Sequence, residues 1–153
     1  MAARDGDGWV QCRCGLKHWG LHGAAGLLLV DSRQILLQHR APWVHNGDTW
    51  GIPGGARDSH ESPLEAALRE AREEIGLATE LVQMQNEHRD DHGDWRYDTI
   101  IATASREALL FKNNHESIDL RWFSIEEISG LNLHPSFAKS WDVVSALVRD
   151  IGD

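Results

Sequence analysis

Between Ser62 and Gly76 the chain carries a full set of helix start and stop signals, and no other stretch so narrows what it can fold into. Ser62 supplies an N-cap hydroxyl, Pro63 suits the first helical position, Glu65 stands where a capping box needs its carboxylate, and Gly76 follows Ile75 as the stop. The spacing predicts a helix over 63–75. At about 100° per residue, Leu64, Ala67, Leu68, Ala71 and Ile75 share one arc, a stripe that needs a core to face. Glu70, Glu73 and Glu74 share the opposite arc. Like charges so placed repel by roughly a few tenths of a kcal/mol per pair, so an isolated helix gains nothing from them. A solvated acidic face is the ordinary outcome of such a cluster. Two neighbours favour a site instead: Arg69 can orient a carboxylate, and Gly54-Gly55 offers bare backbone to a phosphate shortly before the helix. Hard oxygen donors in this number suit Mg²⁺ or Mn²⁺ better than zinc.

The rest of the chain reads as one α/β unit. Its 153 residues are the length of a single domain, without repeats or a Pro/Ser-rich linker. Gly23 to Val30 and Gln34 to His39 read as a hairpin across Asp31-Ser32-Arg33, followed by a long loop from Ala41 to Gly55 with at most a short strand at Trp50 to Ile52. Further strands are expected at Glu80 to Glu87, Asp94 to Ala104, Glu107 to Phe111 and Ile118 to Phe123. His88 to Asp94 reads as a polar turn between two of them. Ser124 and Glu127 cap a short helix, and His134-Pro135 opens a last one to about Arg149 along Phe137, Trp141, Val144 and Val148. Few strands are separated by helices, so the sheet should be mostly antiparallel or mixed.

Charge and composition narrow the partners. The longest apolar run, Ala24 to Val30, is far short of the roughly 20 residues that cross a bilayer. The start, Met1 to Gly6, lacks the apolar core of a signal peptide, so a cytoplasmic protein with no membrane partner is expected. A net charge of −9 disfavours polymeric nucleic acid but permits a small polyphosphate approached through metal cations. The two cysteines, Cys12 and Cys14, are too close to staple a fold, and with His18 and His22 they make four candidate zinc ligands within eleven residues. Against that stands an ordinary N-terminal extension, residues 1–20, packed on a domain of residues 21–153.

Gly55, five residues, Glu61, seven residues, Arg69-Glu70-Ala71, one residue, Glu73-Glu74, one residue, Gly76-Leu77 resembles the Nudix box at every fixed position. Trp50 to Gly55 is similar to the family's usual lead-in, while His60 stands where glycine is common and Asp58 where glutamate is frequent. The resemblance covers roughly residues 20 to 150. It implies an α/β/α sandwich, a mixed sheet between helices in a single domain, and metal-dependent hydrolysis of a nucleoside diphosphate linked to another moiety. It also implies that Glu70, Glu73 and Glu74 bind Mg²⁺ or Mn²⁺, that Arg69 orients a box glutamate, that Glu61 supports the loop or metal water, and that Gly55 permits a tight turn. Glu116, six positions before Trp122, matches a further glutamate of members that clean oxidised purine nucleotides, with a metal or base role set against that of a plain loop residue. The expected substrate contacts are Trp43, Trp95 or Phe137 stacking on a base, Arg40 and His45 meeting phosphates, and the backbone at Gly54 and Gly55.

Two alternatives compete with this enzyme. A nucleotide-sensing Nudix module without turnover usually loses box carboxylates, which are all present here, and an isoprenoid diphosphate isomerase needs a catalytic cysteine well inside the domain, a place that neither Cys12 nor Cys14 occupies. Homodimerisation stays open.

Overall fold

The computed structural model describes residues 5–109 and 117–151. In chain order it contains β1 (Trp9–Gln11), β2 (Lys17–Trp19), β3 (Ala24–Asp31), β4 (Gln34–Arg40), β5 (Trp50–Gly51), β6 (Gly54–Ala56), α1 (Pro63–Ile75), β7 (Gln83–Asp91), β8 (Arg96–Thr103), β9 (Ser117–Ser124) and α2 (Pro135–Arg149). The expected hairpin is present. Ser32 and Arg33 both take positive φ, 51° and 63°, the backbone that a two-residue turn needs to match strand twist.

From the pairs Val30↔Ile35 and Asp31↔Gln34 the two strands separate, and each finds a new neighbour. The start of β3 pairs with β6, Ala25 opposite Gly55, and the end of β4 pairs with β5, Gln38 opposite Gly51. On its other edge β3 runs parallel to β8, which pairs antiparallel with β7, while β9 pairs antiparallel with β4. The sheet is therefore mixed. The parallel pairing of β3 with β8 closes the crossover that carries α1.

Strand alternation divides the apolar run of β3 between two cores. Leu27 and Leu29 point with Leu36, Ile100 and Ala102 towards Ala66, Ala67, Ala71 and Ile75 of α1. Leu28 and Val30 point with Ile35, Leu37, Ile101 and Phe123 towards Phe137, Trp141, Val144 and Val148 of α2. Burial on both faces explains why β3 reads as continuously apolar rather than alternating. In α1 the buried set includes Ala66, whereas Leu64 and Leu68 are only partly buried at its margin.

Three sequence expectations shift. Glu80 to Glu87 becomes a 3₁₀ turn at Thr79–Leu81 followed by β7, which continues through the segment read as a polar turn as far as Asp91. As an edge strand mostly open to solvent, β7 lacks the alternation that would announce its full length. The strand expected at Glu107 to Phe111 is a 3₁₀ turn at Arg106–Ala108, with Leu109 bridging to Leu77 and the remainder outside the described residues. At the start of the chain β1 and β2 form a separate ribbon, Val10 opposite His18. It is tied to the domain by Gly6 N donating to Asp58 Oδ1 at 3.0 Å and by Arg13 pairing with Asp94 at 2.7 Å. Among the described residues no helix is long and apolar enough to cross a membrane.

Candidate active site

The helix that carries the carboxylates is set by local contacts. Glu65 N donates to Ser62 Oγ at 3.1 Å, Ser62 N donates to Glu65 Oε1 at 2.9 Å, and Gly76 closes the helix at φ 66°. What the carboxylates face is set by β6. A side chain at Gly55 would put its Cβ 2.7 Å from the Glu70 carboxylate, and one at Gly54 would put it 2.6 Å from Ala25 O and 2.8 Å from the Tyr97 hydroxyl. Strand β6 therefore passes close to both the helix and β3 only because these residues are glycine.

Arg69 is the organising cation. Its side chain is 17% exposed and that of Glu61 8%. Nε donates to Glu61 Oε2 at 2.6 Å and Nη2 to Glu61 Oε1 at 2.8 Å, a two-pronged pair. Nη2 also donates to Ala56 O at 3.0 Å, while Nη1 donates to Glu70 Oε1 at 2.8 Å and lies 3.4 Å from Glu73 Oε1. Hydrogen bonds from Arg69 hold the Glu61 carboxyl below its usual range, and Glu61 raises the guanidinium in return. Glu74 is the opposite case. Burial, and then a hydrogen bond shared with Glu70, push it well above the ordinary carboxylate range, although Gln38 Nε2 donates to it at 3.0 Å and Gly54 N at 3.2 Å. Glu73 is the more exposed of the three.

Asp58, His60 and Glu61 also bring their donor atoms close together. Both carboxylates there are already engaged, Glu61 by Arg69 and the Asp58 N–H, Asp58 by the Gly6 N–H.

Beside β6 opens a cavity of about 430 Å³, within the usual range for small-ligand sites. Arg40, His45, Gly54, Gly55, Trp95 and Phe137 line it, so most of the expected substrate residues come together there. Arg40 donates to His45 O at 3.2 and 3.1 Å. Trp43 is not among the lining residues and is 71% exposed. Glu116 lies outside the described residues. Sequence reasoning missed three residues. Gln38 is a buried polar side chain in an apolar strand, a signal that could have found it. Tyr97, raised by burial and then by Glu74 and Glu70, stands in a segment read only as a strand. His134, read only as the opening of a helix, lines the cavity.

Burial, and after it Arg40 and His45, lower the His134 imidazole to about 4. Its Nδ1 accepts from Ser136 N at 3.2 Å as the N-cap of α2, and its Nε2 lies 3.3 Å from Asn46 Nδ2. A histidine whose folded value lies below its unfolded one contributes stability that is present above about pH 6.5 and is lost as pH falls towards 4. The melting temperature should therefore drop over that window. His134→Asn keeps a capping acceptor without titrating, so it should flatten the drop; an unchanged pH profile by calorimetry would exclude His134 as its source.

The NUDIX domain profile matches residues 20–147. A Mycobacterium tuberculosis protein named "Putative 8-oxo-dGTP diphosphatase 3" is 47% identical over 148 residues, covering 90% of this chain and 68% of that protein. A Bifidobacterium longum nucleoside triphosphate pyrophosphatase/Nudix hydrolase fusion protein is 38% identical over 95% of this chain and 32% of its own length. Among solved structures, a Nudix hydrolase from M. smegmatis, RenU, superimposes with a TM-score of 0.86 at 42% identity, covering 97% of this chain and 98% of that one.

Proposed function

This chain belongs to the NUDIX domain family, and from that premise we propose that it is a divalent-metal-dependent pyrophosphohydrolase of nucleoside triphosphates, oxidised purine nucleotides foremost. As a Nudix hydrolase it acts on phosphoanhydride bonds. The observation that carries the finer reading is the complete set of Glu61, Arg69, Glu70, Glu73 and Glu74, folded beside Gly54-Gly55 at the edge of a nucleotide-sized cavity. Relatives named for 8-oxo-dGTP support the choice of base.

The donor set suits a hard cation. Glu70 and Glu74 stand close enough to share a hydrogen bond, the arrangement in which a divalent cation can replace a proton between two carboxylates, and all the donors are oxygen. Glu70, Glu73 and Glu74 would hold Mg²⁺ or Mn²⁺. Bound there, the metal would supply the positive charge that phosphate oxygens and the attacking water need. Arg69, anchored on Glu61 and Ala56 O, keeps Glu70 turned towards β6. Water adds to phosphorus, the bridging P–O bond breaks, and the water's proton passes to a box carboxylate, here assigned to Glu70. A nucleoside triphosphate would leave as a mononucleotide and pyrophosphate. Arg40 faces the phosphate end of the cavity in this reading, with Trp95 and Phe137 on the side of the base.

The test is release of pyrophosphate from 8-oxo-dGTP and dGTP with Mg²⁺. Hydrolysis should stop in excess EDTA and return with Mg²⁺ or Mn²⁺, with 8-oxo-dGTP preferred. Full turnover in EDTA would overturn the metal assignment. Absence of hydrolysis from every nucleoside triphosphate would overturn the substrate class.

A further inference from the structure

The β1–β2 ribbon holds a second group of ligating atoms, chemically unlike the carboxylates of α1. Cys12 N donates to Leu16 O and Gly15 N to Cys12 O, both at 3.0 Å, so the chain reverses tightly between the two strands. Gly15 makes this turn at φ 97°, a backbone that other residues rarely adopt. Val10 pairs with His18, and alternation puts Cys12 on the same side of the ribbon as both. The turn then returns Cys14 to that side: its Sγ lies 3.2 Å from His18 Nε2, and single donor atoms of Cys12, Cys14 and His18 all lie within 4.8 Å of one another.

We infer that Cys12, Cys14 and His18 form a binding site for a soft divalent cation, zinc by its chemistry, separate from the carboxylates of α1. A tetrahedral zinc ion with S and N ligands sets its donor atoms roughly 3.5–4 Å apart, so the observed spacing needs only small side-chain rotations. Two thiolates and an imidazole select zinc over Mg²⁺, just as three carboxylates select the reverse. The ring of His18 is already aimed. It stacks on Trp95 at 4.1 Å and 6° and meets the His92 ring at 4.7 Å, which leaves Nε2 turned to Cys14. Binding releases one proton from each thiol, and Cys12 exchanges the hydrogen bond that it gives to His92 O for the bond to zinc. Three protein ligands leave a fourth position for water. His22, a candidate ligand by sequence spacing, is not in the group; its Nε2 lies 3.9 Å from Asp5.

The site touches the cavity through a shared wall. His18 and Trp95 both line it, so an ion on His18 ties the ribbon to that wall and should order residues 9–19. The proposal stands whether or not the cavity binds nucleotides.

The experiment uses the full chain under a phosphine reductant, with excess Mg²⁺ present to occupy carboxylates. Zinc alone is titrated against a chromophoric chelator, and Co²⁺ is added to a second sample as a spectroscopic stand-in. One equivalent of zinc should bind, cobalt should give thiolate charge-transfer absorption, and amide exchange across 9–19 should slow on loading. Cys14→Ser, at an exposed position, and His18→Gln should each weaken zinc binding by about 100-fold or more, since even outer-shell changes cost about 10–100-fold. Glu73→Gln and His22→Asn should stay within about twofold of the wild type. Equal zinc affinity in wild type and Cys14→Ser, a cobalt spectrum without thiolate absorption, or loss of zinc in Glu73→Gln would each overturn the assignment. Circular dichroism of Cys14→Ser identifies a folded variant, and the cobalt spectrum of the wild type decides the question independently of any variant.

Discussion

Glu74→Gln should lower the rate of nucleotide hydrolysis about a hundredfold or more, a loss of roughly 2.7 kcal/mol in transition-state stabilisation, while the protein stays folded. The substitution preserves shape and removes charge. In the folded protein that charge is disfavoured by burial and by the neighbouring Glu70, so a neutral side chain relieves a conflict. The amide brings a smaller one. Gln38 Nε2 and Gly54 N both donate to the Glu74 carboxylate, and an amide with a single oxygen can satisfy only one of them in the same way. That mismatch costs about 1 kcal/mol. The two effects oppose each other, so the melting temperature should move by no more than about 4 °C. Rate and melting temperature measured on one preparation separate the outcomes: a variant that keeps most of its activity places Glu74 outside the cation's ligands.

Arg69→Met should cost about 3–5 kcal/mol of stability, the range for removing one partner of a buried ion pair. For a chain of this size that corresponds to roughly 6–20 °C in melting temperature. The guanidinium holds Glu61 with two prongs at 2.6 and 2.8 Å and reaches Glu70 and Ala56 O as well. Without it Glu61, only 8% exposed, keeps the Asp58 N–H but loses its cation. Arg69→Lys should recover less than half, because a point charge cannot make the planar fork. Acid titration supplies a second readout. Glu61 is lowered in the folded protein chiefly by Arg69, so its contribution to stability is present above its unfolded value of about 4.5 and fades as pH falls below it. That part of the acid-side slope should vanish in Arg69→Met. A melting temperature within about 2 °C of wild type would mean that the network is worth no more than a surface ion pair.

Legibility followed the range of the interactions. The helix over 63–75 was readable with its end residues because capping box, proline and C-terminal glycine all act within a turn or two. Strand β7 was readable only in its first half, Gln83 to Glu87, since its side chains face water and its pairing with β8 is what carries it on to Asp91. Strands β1, β2 and β6, three residues each, are too short to show a period of two. The same divide runs through the site. Glu70, Glu73, Glu74 and Arg69 belong to one helix and could be read together, whereas Gln38, Tyr97 and His134 reach it from three other segments.

By itself the sequence determined a punctuated helix with three carboxylates on one arc, an apolar strand hairpin, and membership of a family recognisable from a box of 23 residues, Gly55 to Leu77. Tertiary structure decided what those carboxylates meet. Pairing of β6 with β3 sets Gly55 against Glu70, and burial beside Gln38 and Gly54 makes Glu74 unlike Glu73 one position away. It also decided that His18 joins Cys12 and Cys14 while His22 does not, and that Trp95 rather than Trp43 lines the cavity. The reason is physical: contacts within a helical turn are prescribed by covalent spacing, whereas contacts between distant segments exist only once two cores have packed on the faces of one sheet.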